Sequence, residues 1–188
     1  MEFKIMYLNM YNKEMTLYEY LKITPNHIDN LVSSPVVYSL DLIGLFGPVI
    51  LGTISLWQLW DYGIYWYIYI ITFLANSLIN KVLKTWVREP RPRDGKSMID
   101  TEQYSGIEKY GMPSGHSQSV FCTMVYSYLV KQSPMLLIGE MYIASLTVYQ
   151  RWKYRRHTIS QLYMGAIIGC LVAYLSYYIT TMYVTGQI

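Results

Sequence analysis

The segment from Thr158 to Val184 constrains this chain most: twenty-seven consecutive residues without one Asp, Glu, Lys or Arg. About 20 mainly apolar residues cross a hydrocarbon layer about 30 Å thick, so this stretch is long enough to span a bilayer with tilt. The whole chain agrees with it. Hydrophobic residues make up 53% and charged residues 14%, where a soluble domain carries about 25% charged residues. The same balance excludes a disordered chain, because low hydrophobicity and high charge are what keep a core from forming. Twenty-one Tyr and five Trp suit the belts where an apolar ring body meets a wet boundary.

Four further stretches are candidate spans. Val36–Trp57 is interrupted by Asp41 and Pro48. Tyr62–Ile79 carries no charge, and its helical pattern continues through Asn80 and Lys81 toward Trp86, ending before Pro90 and Pro92, which cannot continue a helix. Ser114–Val130 and Pro134–Gln150 are near the short limit for spanning. The expected fold is an all-α, multi-pass integral membrane bundle of about five helices over residues 36–188. Residues 1–35, where charges interleave with apolar positions up to Pro25 and Pro35, read as an interfacial segment. They show no charged region followed by an apolar stretch and a cleavage site, so no secretory signal peptide is expected.

Gly165 and Gly169 on the last span form a small-xxx-small pair suited to close helix approach. Cys122 and Cys170 lie in apolar segments with no metal-binding spacing and read as small buried hydrophobes. His27 stands outside any motif and reads as structural. A net charge of +3 gives no nucleic-acid footprint. The placement of charge says more than its sum. If the five stretches cross in turn, residues 1–35, 80–113 and 151–157 lie on one face, and only Lys131 among the Lys and Arg lies on the other.

Three motifs stand on that face. Lys84 is followed by Arg91-Pro92; Pro113-Ser114-Gly115-His116 opens the third span; Arg151, His157 and Gln161 open the fifth. Each suits a phosphate group. Pro113 and Ser114 before an apolar run mark a helix start, where free backbone N–H groups and the positive dipole end favour an anion. Gly115 removes a side chain that would hold phosphate off the backbone. Lys84, Arg91 and Arg151 can neutralise non-bridging oxygens. Of the two histidines, one can attack phosphorus and the other can protonate the leaving oxygen, a division that needs no metal. Gln161 lies four residues after His157, so its oxygen can accept the Nδ1 proton and leave Nε2 as the nucleophile. Asp41 and Glu140 are the acids inside spans and lie toward opposite faces; Asp41, on the motif side, is a candidate partner for a site arginine.

These motifs resemble those of the type 2 phosphatidic acid phosphatase superfamily, whose pattern is Lys-x6-Arg-Pro, Pro-Ser-Gly-His and Ser-Arg-x5-His-x3-Asp. The resemblance covers residues 84–161 and implies a helical membrane phosphatase acting through a phosphohistidine, without cofactor. It implies His157 as nucleophile, His116 as general acid, and Lys84, Arg91, Ser114, Gly115 and Arg151 as phosphate-binding residues. Two positions depart from the pattern: Gln150 replaces Ser and Gln161 replaces Asp. The strings Tyr110–Gln118, Arg88–Pro92 and His157-Thr158-x-x-Gln161-x-x-x-Gly165 are similar to the dolichyldiphosphatase branch, which itself carries Gln at the last position and usually has Ser where Gly115 stands. The expectation is a phosphohydrolase that takes the terminal phosphate from a polyprenyl diphosphate such as dolichyl diphosphate, a lipid held in the bilayer.

A phosphatidic-acid-type phosphatase and a non-catalytic lipid-binding protein are the alternatives. A metal-dependent alcohol phosphotransferase is disfavoured, since no Asp cluster at helical spacing is present to hold Mg²⁺. The positive-inside rule places the basic face in the cytoplasm, whereas the resemblance implies the lumen of the endoplasmic reticulum.

Overall fold

The computed structural model describes residues 35–98 and 106–187. Most of the interfacial segment expected over residues 1–35, His27 included, lies outside them. The chain divides into two compact units, Met1–Ser39 and Leu40–Ile188, and the second carries everything below except the first turn of helix α1. Among the described residues there are five α-helices: α1 (Pro35–Gln58), α2 (Ile64–Val87), α3 (Gly115–Lys131), α4 (Pro134–Lys153) and α5 (Ile159–Val184). The expected all-helical membrane bundle is therefore present, with helix ends within a few residues of those read from the sequence.

Helices α1, α2 and α5 are long and apolar enough to cross a membrane by length and composition. Helices α3 and α4 are less apolar because much of each faces protein. Ser117, Gln118, Thr123 and Ser127 are buried on α3, and Glu140, Thr147, Gln150 and Arg151 on α4. Helix α3 is the hub, packing on α2, α4 and α5.

Without a hydrophobic drive between helices in lipid, association depends on close packing and buried hydrogen bonds. Both are visible. A Cβ at Gly169 would strike the Gln118 carbonyl and lie 3.0 Å from the Cys122 nitrogen, and one at Gly165 would lie 3.1 Å from Ser117 Cβ. The small-xxx-small pair thus lets α5 lie against the backbone of α3. Gly44 does the same for α1 and α4, where a Cβ would sit 2.6 Å from the Leu146 carbonyl oxygen. Two apolar clusters fill the bundle, Leu59, Tyr69, Cys122, Tyr126 and Ala173 in one, Leu51, Val120, Met124 and Ala144 in the other. Cys122 is buried and Cys170 half-buried, both free.

Amide side chains join α2 to α3. Gln118 donates to the Asn76 side-chain oxygen at 2.8 Å, and Asn80 donates to Gln118 at 2.8 Å and to the Pro113 carbonyl at 3.2 Å. That last bond ties the turn before α3 to the C-terminal part of α2, one turn before Lys84. Buried Asp41 accepts from Lys153 at 2.6 Å and from the Tyr154 hydroxyl at 2.9 Å. Its partners are thus these two residues, not one of the motif arginines, and they pin α1 to the segment that leads into His157. Glu140 faces Ser55 at 3.5 Å, and Ser127 donates to Ser55 at 2.8 Å; as expected, the two intramembrane acids are not partners of each other.

Candidate active site

Four helix ends meet at one face. Helix α2 stops because Arg88 turns left-handed (φ 52°), donating its N–H to the Lys84 carbonyl, and Pro90 and Pro92 follow. The returning chain meets this segment where Pro90 pairs with Tyr110 and the Gly111 N–H bonds the Glu89 carbonyl at 2.7 Å. Helix α3 then starts at Gly115 with Ser114 as N-cap, its hydroxyl accepting from Ser117 N–H. Helix α5 starts behind a capping box of Thr158 and Gln161. Between them lies a cavity of about 400 Å³, lined by Lys84, Arg91, Gly115, His116, Arg151 and His157 together with Lys81, Glu108 and Arg156.

Six of the eight residues expected from sequence therefore share one cavity. Ser114 and Gln161 stand behind it. Ser114 is fully buried, and its groups are engaged in structure: its N–H donates to the Gln161 carbonyl at 3.0 Å and its hydroxyl caps α3. What this helix start offers an anion is the N–H groups of Gly115 and His116, which have no intrahelical acceptor at the first two positions. Gly115 has a second reason to lack a side chain, since a Cβ there would lie 3.2 Å from the Asn80 side-chain oxygen.

The neighbours of His157 define its tautomer. Nδ1 lies 3.0 Å from the Gly111 carbonyl oxygen and 3.2 Å from Gln161 Oε1, both acceptors, so Nδ1 carries the proton. Nε2 lies 2.8 Å from Arg91 Nη1, a donor, so Nε2 presents its lone pair. Burial first, and then the charges of Arg91 and Arg151, hold this ring well below the usual histidine pKa of 6.5. It is a neutral base at the cavity wall, its Nε2 lone pair held by Arg91, and neutrality is the state a nucleophile requires. Gln161 is oriented in turn by acceptors on its other side: its amide nitrogen donates to Glu89 Oε1 at 2.6 Å and to the Pro90 carbonyl at 2.9 Å.

Arg91 also donates to the Glu108 and Arg156 carbonyls, at 2.9 and 3.1 Å. Gln150, the other departure from the expected motif, accepts from Arg151 Nη1 at 3.4 Å. The Glu108 carboxylate, on a 3-10 turn over Gly106–Lys109, accepts from Lys84 at 2.6 Å and lies 3.4 Å from Arg91. It occupies the two cations that a phosphate would engage.

Sequence reading missed Lys81, Glu89, Glu108, Arg156 and the Asn76–Gln118–Asn80 ladder. A signal existed for some of them. Thr72, Asn76, Asn80 and Lys84 recur every four residues and are all buried, a polar stripe that a helix among apolar neighbours keeps only when it faces partners. Lys81 lies one turn before Lys84. Nothing local marks Glu89 or Glu108, whose partners are brought to them by the fold.

A membrane-embedded helical bundle with a basic, two-histidine cavity at one end is the class of protein these features define. Residues 65–184 match the PAP2 superfamily, and the chain belongs to it. Over 124 residues it is 33% identical to dolichyldiphosphatase 1 of Homo sapiens, covering 55% of this chain and 49% of that protein. Over 117 residues it is 30% identical to dolichyldiphosphatase of Saccharomyces cerevisiae, covering 56% and 48%. The chain spans about half the length of the curated relatives it matches. Its fold is similar to the crystal structure of a transmembrane PAP2 type phosphatidylglycerolphosphate phosphatase from Bacillus subtilis, at a TM-score of 0.58 and 21% identity over 93% of this chain and 95% of that one.

Proposed function

We propose that this protein hydrolyses a polyprenyl diphosphate, dolichyl diphosphate in the first instance, to the monophosphate at the membrane surface. Transfer proceeds in two steps without a metal. The Nε2 lone pair of His157 forms a bond to the terminal phosphorus as the bridging P–O bond breaks, and His116, which takes up a proton as the anionic substrate binds, gives that proton to the departing oxygen. Water then attacks the phosphorus, His116 takes the water proton, and the P–N bond breaks to return the lone pair to His157. Lys84, Arg91, Arg151 and the N–H groups at the start of α3 stabilise the charge on the equatorial oxygens.

The observation that carries this reading is His157 itself: buried, neutral, with its Nδ1 proton donated to two acceptors and its Nε2 lone pair held by Arg91, a phosphate-binding candidate, at a cationic cavity that also holds His116; a phosphate that draws Arg91 away releases that lone pair. The preference for a diphosphate rests on charge. Lys81 and Arg156 line the cavity besides the three motif cations, and a diphosphate ester carries about one negative charge more than a phosphomonoester. The names of the human and yeast relatives support the same substrate, and a dolichol-linked substrate is the ground for proposing the endoplasmic reticulum membrane as its place.

The test is phosphate release by detergent-purified protein, in EDTA, from dolichyl diphosphate beside phosphatidic acid. Preference for the diphosphate, abolished in His157→Ala, is expected. Release from phosphatidic acid instead would assign a glycerolipid substrate. Release from neither by folded protein would leave a lipid-binding protein, and strong inhibition by EDTA would contradict the mechanism.

A further inference from the structure

We propose that Glu89 is the positioning residue of this site, supplying through the Gln161 amide the negative charge that steadies His157 as it becomes cationic. The inference rests on the reading of His157 as nucleophile. When Nε2 bonds to phosphorus, the Nδ1 proton stays on the ring and the imidazole acquires positive charge. Gln161 orients that proton but is neutral, so it cannot balance the charge. A carboxylate stands directly behind it. Glu89 is only 7% exposed, and its Oε1 accepts from Gln161 Nε2 at 2.6 Å, the short distance of a charge-assisted bond. Polarised by Glu89, the amide presents a stronger acceptor to His157, and little water is near to screen the charge.

Glu89 acts on the histidine twice. Its side chain holds Gln161, one acceptor of the Nδ1 proton, and its backbone carbonyl holds the Gly111 N–H at 2.7 Å, whose own carbonyl is the other acceptor. Gly111 is the residue type this clamp needs, because a Cβ there would strike the Gln161 amide. The Pro90 carbonyl also accepts from Gln161, so the orientation of the amide has two supports. Charge is what Glu89 alone contributes to it.

That division sets the test. Glu89→Gln keeps an oxygen for the amide and removes the charge; kcat is expected to fall about 10- to 100-fold with KM changed less than about threefold. Gln161→Glu alone brings two carboxylates together and forces them to share a proton, so it also loses activity. The exchange E89Q/Q161E returns one carboxylate and one amide to the same contact and is expected to recover most of the loss, which a merely structural role would not give.

A second readout is independent of turnover. With ring-¹⁵N histidine, three residues report, and His157→Ala assigns the one of interest. Its Nδ1-bound proton resonance is expected to move upfield in E89Q as the hydrogen bond weakens. An unchanged resonance with unchanged kcat, or a loss that the exchange does not recover, would overturn the proposal. If the wild type turns over neither lipid, the proposed function falls and the catalytic part of this proposal falls with it, while a resonance shift in E89Q would still uphold the coupling of Glu89 to His157 through Gln161. Should E89Q fail to fold, the exchange variant decides, supporting the proposal if kcat is within about tenfold of wild type and overturning it otherwise.

Discussion

At the scale of single residues, the site is a set of polar groups whose partners agree on one protonation state. Gly111, Gln161 and Arg91 all require the same tautomer of His157. The residue-level competition is at Glu108, half-exposed and paired with Lys84 and Arg91. A bound phosphate must displace that carboxylate, so Glu108→Gln is expected to lower the inhibition constant of inorganic phosphate about twofold to tenfold, in keeping with the modest worth of a partly solvated ion pair. A raised constant would mean that Glu108 helps to hold the anion. The motif residues were legible in sequence because helix starts, helix ends and an i, i+4 spacing are local properties. Glu89 and Glu108 were not, because the contact of Glu89 with Gln161 bridges 72 positions and no periodicity records it. The role given to Ser114 shows another side of this: the helix start is local and legible, but that the cap hydroxyl lies buried behind the cavity, with one lone pair accepting from Ser117 N–H and its O–H left to donate, is set by the fold.

At the scale of elements, the distance between His116 and His157 depends on how closely α3 and α5 approach. Gly165 and Gly169 set that approach, and the sequence showed it because small residues four apart on an uncharged helix have few other uses. The Gly44 seat for α4 and the amide ladder between α2 and α3 were harder to read, since each needs the neighbouring helix to give it meaning. Gly169→Ala is expected to destabilise by about 1 to 3 kcal/mol, the usual cost of forcing a methyl into a packed interface, and to reduce phosphate release. Gly139 on α4 has open space around its Cβ position, so Gly139→Ala should be neutral or slightly stabilising through helix propensity. Thermal unfolding in detergent separates the two; equal midpoints would show that the α3–α5 contact does not limit stability.

At the scale of the whole molecule, the charge-free spans and the placement of nearly every Lys and Arg at one end made the membrane bundle legible. The same division explains the fold's use: apolar helices suit a lipid surface, while their joined ends collect the basic side chains and the two histidines of the cavity. The more polar α3 agrees with it, because α3 is the helix that packs on α2, α4 and α5 and buries Ser117, Gln118, Thr123 and Ser127 among them. The central claim is that His157 takes up the phosphoryl group. Rapid quenching of the protein with dolichyl diphosphate labelled at the terminal phosphate, at alkaline pH where a phosphohistidine survives, followed by peptide mass spectrometry, tests it most directly. The account predicts label on the peptide containing His157, absent in His157→Ala. Undiminished turnover in that variant, or label on another residue, would contradict it.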